Sequence, residues 1–355
     1  MKTIYVHGSF ESNNFGDFLL YKLALEAIKN FSAMNKAEVR ILSDSVSKMY
    51  KELYPIETMS VFKAIKVCDA VVFVGGGYLG EPGKNIKNWN KHFYKAHALP
   101  LLLSSLKKKK TAIIGVGAGP VSNKFIRFAI DKSIKNASVI SVRDIESKEF
   151  LLSLNKDIEV SVHPDWVLSS SFDSFIDFSS CNEENRMFIH VTGNNLDQVD
   201  ILIASLCKLR EHYNNLRFTV GTDNTQVKQY DIAKYIFGKI GNEFDKLYLY
   251  DDPNQLIMEL SKCRYIITDK LHVGICGIRM GKHVLSLPIH PKIYRFYNQI
   301  AYNSNYVIPF DKISADKLPD QLTGFIENCE TIEIENIIKD SDKNIELLYD
   351  FLSAL

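Results

Sequence analysis

Short apolar strands and amphipathic helices alternate along this chain almost from end to end, and no other feature restricts its fold as strongly. A strand that is apolar on both faces must be covered by helices on both sides, so the alternation predicts parallel sheets built from βαβ units. The expected strands are 3–6, 39–42, 70–74, 111–116, 138–142 and 159–162, then 187–191, 216–220, 246–250, 265–268 and 284–287. Runs 70–74 and 111–116 are apolar nearly throughout, as central strands are. A first helix is expected from about Asp17, with Leu19, Leu20, Leu23, Ala24, Ala27, Ile28 and Phe31 on one face.

With 355 residues the chain can fill two hydrophobic cores. Between Ser169 and Arg186 the sequence turns rich in Ser, Asp and Asn, the composition of a linker. The expected division is a first domain over 1–170, a linker over 171–186, a second domain over 187–330 and a helical tail over 331–355 that packs back on the first domain. The fold class is α/β, with two Rossmann-like domains facing one another across a cleft.

The balance of 43 basic and 42 acidic residues, net +1, argues against broad nucleic-acid binding. Cys68, Cys181, Cys207, Cys263, Cys276 and Cys329 are scattered singly. This pattern implies the reduced thiols of a cytoplasmic protein, not a disulfide framework, and no metal-ligand spacing is visible. Met1–Gly8 reads as a strand entering a loop, without the layout of a signal peptide, and no apolar run has the length of a transmembrane helix. Lys107–Lys110 reads either as a solvated helix end or as a contact with an anionic membrane surface.

Chemistry-bearing residues gather in loops expected at the carboxyl ends of strands. Thr268-Asp269-Lys270-Leu271-His272-Val273-Gly274 runs from a strand into a helix, where backbone N–H groups and the helix dipole favour an anion. Lys270 and His272 add side-chain donors there. Asn14, Gly16 and Asp17 serve either a ligand or a turn, with Asp17 placed as an N-cap. Gly75-Gly76-Gly77 and the run holding Gly117 and Gly119 follow buried strands; glycines there admit a ligand or permit a tight turn. Neither run has the spacing of a dinucleotide or Walker loop, which disfavours a dehydrogenase. Arg143 suits bidentate recognition of an oxyanion, or a structural contact with Asp144. His163 precedes Pro164 and Asp165 and suits a loop hydrogen bond better than a base. Trp89, His92 and His97 lie in a stretch that suits an acceptor-side loop and helix, where an aromatic stacks on a sugar or simply packs.

Taken in order, Asn-Asn-Phe-Gly-Asp-Phe, Val-Gly-Gly-Gly-Tyr-Leu, Gly-Val-Gly-Ala-Gly-Pro, Ser-Val-Arg-Asp, His-Pro-Asp-Trp-Val-Leu and Thr-Asp-Lys-Leu-His-Val-Gly-Ile resemble the polysaccharide pyruvyl transferase family over roughly residues 3 to 295. The resemblance implies a GT-B-like fold and transfer of pyruvate from phosphoenolpyruvate to a sugar of a cell-surface polysaccharide precursor, such as a capsule or exopolysaccharide unit. A ketal forms and phosphate leaves. The donor is a substrate, so no cofactor and no metal are implied; lipid-linked and nucleotide-linked sugars both qualify as acceptors. The first domain is implied as the acceptor side and the second as the donor side. Leu271 and His272 match the family's Arg-Leu-His triplet, with Lys270 in place of the arginine, and Arg143 matches a second phosphate partner. His272 is then the candidate acid, and Asp17 and Asp165 are candidate bases. Two other classes share these features: a GT-B glycosyltransferase using a nucleotide sugar, and a non-catalytic anion-binding relative.

Overall fold

Residues apolar on both faces go to the middle of parallel sheets, and the structure, a computed structural model, places them there in two separate sheets. It describes residues 1–83, 85–176, 183–193, 195–330 and 332–355. The chain divides into two units, Met1–Ser171 with Asn336–Leu355, and Phe172–Glu335.

The first unit contains β1 (Lys2–His7), β2 (Val39–Ser43), β3 (Glu57–Thr58), β4 (Ala70–Leu79), β5 (Lys110–Ala118), β6 (Val139–Val142) and β7 (Ser161–Val162). Their order is β3-β2-β1-β4-β5-β6-β7, parallel throughout. Winding reverses between β1 and β4, so the connections leaving their carboxyl ends diverge and open a crevice there. Phe73, Ile113 and Val116 meet Ile126, Ile130 and Ile134 of the Lys124–Lys135 helix in the core.

The Phe15–Met34 helix begins earlier than expected. Asn14, not Asp17, is its N-cap, with Oδ1 accepting from the amides of Gly16 (3.0 Å) and Asp17 (3.4 Å). Nor is one face alone buried. Phe18 and Tyr21 pack on Tyr50, Phe31 packs on Tyr349, and Lys22 puts its ammonium over the Tyr54 ring. The tail forms the Glu335–Ser353 helix and belongs to the first unit, as the sequence suggested. There Asn344 accepts from Ser141 Oγ (2.8 Å) and donates to Pro164 O (3.0 Å), while Ser341 Oγ donates to Asp165 O (2.9 Å).

The second unit contains β8 (Glu184–His190), β9 (Arg217–Gly221), β10 (Lys246–Tyr248), β11 (Cys263–Thr268) and β12 (His283–Ser286). Their order is β10-β9-β8-β11-β12, again all parallel, and winding reverses between β8 and β11. Its core gathers Met187, Ile189, Phe218, Val220 and Ile267 with Leu202, Leu206 and Phe325 from helices.

Every expected strand is present, and the short edge strand β3 is an addition. The glycine runs depart from expectation. They do not leave the sheet as loops: β4 continues to Leu79 and β5 to Ala118, with Gly76 still paired to Val116. Their smallness makes room for neighbours. A Cβ on Gly75 would stand 2.6 Å from Leu20 Cδ2, and one on Gly119 would stand 2.3 Å from Phe150 Cγ. Gly76 and Gly119 also have φ of +87° and +62°, which side chains resist. Of the expected linker, residues 177–182, Cys181 among them, lie outside the described residues; β8 already starts at Glu184. The five described cysteines are all free. Among the described residues no helix is long and apolar enough to cross a membrane. In the Lys107–Lys110 run, Lys109 and Lys110 donate to Cys68 O and Ala354 O, which matches the helix-end reading.

Candidate functional site

In the second unit, β11 ends at Thr268 and the Leu271–Arg279 helix follows almost at once. Two glycines let that helix sit close. A Cβ on Gly274 would lie 2.2 Å from Tyr297 Oη, and one on Gly277 would lie 2.6 Å from Ile266 Cδ1. Lys270 occupies the N-cap position with extended backbone, and its side chain makes no cap bond to the first turn. The helix therefore turns backbone donors and its positive end toward the crevice.

Three polar groups converge beside it. Lys270 Nζ stands 3.8 Å from Asp223 Oδ1, and His190 Nε2 stands 3.5 Å from the same oxygen. His190 Nδ1 lies 3.3 Å from Thr268 Oγ1. Asp223 is buried, which works against its charge. Lys270, His190, a hydrogen bond from Gln229 and the nearby His272 nevertheless hold its carboxyl below the usual range. Asp269 plays another part. Its Oδ2 accepts from the Thr192 amide (2.7 Å) and hydroxyl (2.6 Å), latching the loops after β8 and β11 together. Complete burial pushes that carboxyl up, although His190, Lys270 and Thr192 pull the other way. Leu271 is buried in the helix, so it could meet a ligand through its backbone only. The whole arrangement can hold a phosphate or carboxylate.

In the first unit, Arg143 is only 6% exposed. Its Nη1 lies 3.3 Å from Asp165 Oδ2 and its Nε 3.7 Å from Asp144 Oδ2. Gly117 is the seat for this guanidinium, since a Cβ there would stand 2.7 Å from Arg143 Nε. Asp144 also caps the Ile145–Leu154 helix, and Asp165 Oδ1 accepts from the Val167 amide. Arg143 thus has the structural contact with Asp144 weighed from the sequence, and Asp165 besides. Asp17 accepts from Ser12 Oγ at 2.6 Å. His163 Nδ1 bonds to Asp340 at 3.1 Å, in keeping with a loop hydrogen-bonder. Trp89 packs on Phe93.

Two groupings of residues went unseen in the sequence, although His92 and His97 were marked there singly. His190 and Asp223 had one signal each, a polar residue at or just past the end of an apolar strand. In the first unit, His7 closes β1 and bonds through Nδ1 to Asp44 (3.0 Å) and through Nε2 to His97 Nδ1 (3.0 Å). Glu11, His92 and His97 lie with one ligand atom each within 4.8 Å of the others, a convergence that sequence spacing hides.

The fold has solved relatives. The UDP-GlcNAc 2-epimerase of Neisseria meningitidis bound to UDP-GlcNAc superimposes with a TM-score of 0.62 at 12% identity, covering 100% of both chains. The UDP-GlcNAc 2-epimerase of Methanocaldococcus jannaschii gives 0.63 at 13%, covering 98% of this chain and 99% of that one. A glycosyltransferase from Rickettsia africae gives 0.56 at 12%, covering 98% and 93%. Identities this low speak for the fold alone, a two-unit α/β fold of GT-B type. No curated protein matches the sequence. The pattern of one family, polysaccharide pyruvyl transferase, matches residues 14–291, a span that takes in the loops after β4, β5, β6, β8, β9 and β11. By that match over well more than half its length, the chain belongs to the polysaccharide pyruvyl transferase family.

Proposed function

We propose that this chain moves a pyruvyl group from phosphoenolpyruvate to two hydroxyls of a sugar in a cell-surface polysaccharide precursor, forming a ketal and releasing phosphate. The observation that carries this reading is Lys270 beside His272 at the N-terminus of the Leu271–Arg279 helix, at the point where the second sheet reverses its winding. A donor bearing a phosphate and a carboxylate meets a cation and backbone donors there.

The chemistry distributes as follows. His272 protonates C3 of the donor, turning its methylene into a methyl group and leaving cationic character at C2. One acceptor hydroxyl adds to C2 and loses its proton to a base. The C2–O bond to phosphate then breaks, with Lys270 stabilising the departing charge. The second hydroxyl closes the ketal at C2 and gives up its proton, so phosphate leaves protonated and the inventory balances. No redox group or organic cofactor has a part in these steps. Arg143 is a second phosphate partner, and Asp17 and Asp165 are the candidate bases. Both Asp165 oxygens already accept, from Arg143 and from the Val167 amide. The first unit takes the acceptor and the second the donor. Lys270 keeps the charge of the arginine expected by resemblance but not its two-pronged geometry.

Thermal stabilisation tests the donor. Phosphoenolpyruvate at roughly a hundred times its dissociation constant adds about 2.7 kcal/mol, a shift of a few degrees. A shift that vanishes in His272→Ala supports the reading. A shift given only by a nucleotide sugar replaces it with a glycosyltransferase.

A further inference from the structure

His97 links the Ile86–Ala96 and Ala98–Leu106 helices and is 1% exposed. One edge of its ring is fully accounted for. Asp44 accepts from Tyr5 Oη (2.7 Å) and pairs with His7 Nδ1 (3.0 Å). Burial works against the charge on Asp44, but those bonds hold its carboxyl below the usual range. An ionised Asp44 fixes the proton of His7 on Nδ1, so in the neutral ring Nε2 accepts from His97 Nδ1–H. That leaves a lone pair on Nε2 of His97, and this buried atom has no hydrogen-bond partner. A buried polar atom left so is costly and asks for an explanation.

Its surroundings supply one. One ring nitrogen each of His92 and His97 and one Glu11 carboxylate oxygen lie within 4.8 Å of one another. Glu11 Oε1 and His92 Nε2 stand 3.1 Å apart. Two ligands about 2.0–2.1 Å from a tetrahedral zinc are separated by roughly 3.3 Å, so this pair is already at ligand spacing. The Asp44–His7–His97 chain is the outer-sphere support that fixes a metal-ligating imidazole in orientation and tautomer. Tyr78 stacks on the His97 ring at 4.6 Å between centroids, steadying it further. A plain ion pair between Glu11 and His92 would account for those two residues but not for the bare nitrogen of His97.

We propose that Glu11, His92 and His97 form a site for a zinc-class divalent transition metal at the β1/β4 winding reversal of the first unit. Two imidazoles and a carboxylate suit such an ion. The partial exposure of His92 and Glu11 leaves a coordination position open to water or a hydroxyl. Sequence spacing hides the grouping because Glu11 lies some eighty residues before His92 and His97. The site stands independently of the donor chemistry proposed above.

The test uses tag-free full-length protein, with equilibrium dialysis against zinc and a cobalt(II) titration read by visible absorption. About one equivalent of either metal is expected, with the intense visible bands of low-coordinate cobalt. Glu11→Gln and His92→Ala, at partly exposed positions, should each weaken binding tenfold or more, and His97→Gln should remove it. His212→Ala, at an exposed histidine bonded to the Lys208 carbonyl, should bind as the native protein does. Sub-stoichiometric binding without visible bands would overturn the proposal. So would zinc affinity that survives both Glu11→Gln and His92→Ala, whatever happens to the folding of His97→Gln.

Discussion

The two winding reversals share a frame and differ in what they add to it. In each sheet a histidine ends the first central strand: His7 opposite Phe73 in β4, and His190 opposite Thr268 in β11. In each, an aspartate just beyond the next strand toward the edge reaches back to that ring, Asp44 for His7 and Asp223 for His190. The other side differs. In the first unit Tyr78 and a second histidine meet His7, whereas in the second a lysine and a helix N-terminus crowd the acid that holds His190. Under the two proposals above, one frame serves two chemistries. The strand-end histidine and its acid set geometry, and the element arriving from the far side selects the ligand: neutral nitrogens for a metal, or positive charge for an anion.

The comparison can be broken at several strengths. His272→Ala should cost the most, about 10²–10⁴ in the rate of phosphate release from phosphoenolpyruvate with an acceptor, with an unchanged circular-dichroism spectrum. Full retained rate would end its assignment as the acid. Next comes a matched pair. Asp44→Asn should lower zinc affinity about 10–100-fold while keeping the thermal shift with phosphoenolpyruvate. Asp223→Asn should do the reverse, because Lys270 and His190 lose their shared partner. Equal effects of both substitutions on both ligands would show that the two reversals are not separate sites.

Smaller effects sharpen the picture. Gly117→Ala pushes a methyl against a guanidinium clamped by Asp144 and Asp165, at an expected cost of about 1–3 kcal/mol in denaturant unfolding. An unchanged midpoint would mean that Arg143 moves freely. Lys270→Arg should change turnover less than tenfold, about 1.4 kcal/mol in the transition state, and a larger loss would mark a phosphate geometry peculiar to lysine. The weakest effect concerns pH. Burial raises the folded value of Asp269, so the stability this group contributes is present below its unfolded value of about 3.9 and is lost as pH rises through the raised folded one. Asp44 and Asp223, both lowered, contribute above the unfolded value and lose it in acid. The melting-temperature difference between native protein and Asp269→Asn should accordingly fall across the Asp269 window and then level off. A flat difference at all pH would remove the burial argument.

The strands were legible because parallel strands buried on two faces leave an unbroken apolar signature, as at Ala70–Val74. The glycines were read as admitting a ligand or permitting a turn, for a sound local reason, yet Gly75 and Gly117 serve contacts with Leu20 and Arg143, partners that only tertiary packing supplies. Lys270 and His272 stood out because strand end, cation and helix start are contiguous in the chain. His190 with Asp223, and Glu11 with His92 and His97, did not. Each residue alone is an ordinary polar group, and only the β10-β9-β8-β11-β12 and β3-β2-β1-β4 orders bring them together.

The Glu335–Ser353 helix carries a consequence for how the molecule is made. Ser141 Oγ donates to Asn344, and Pro164 O and Asp165 O accept from Asn344 and Ser341, so the first unit waits on a stretch of polypeptide made after the whole second unit. At about 5–20 residues per second, the whole second unit emerges in between, a delay of roughly ten to thirty seconds. The continuous Phe172–Glu335 unit can be finished first, and the first unit, begun before it, closes after it.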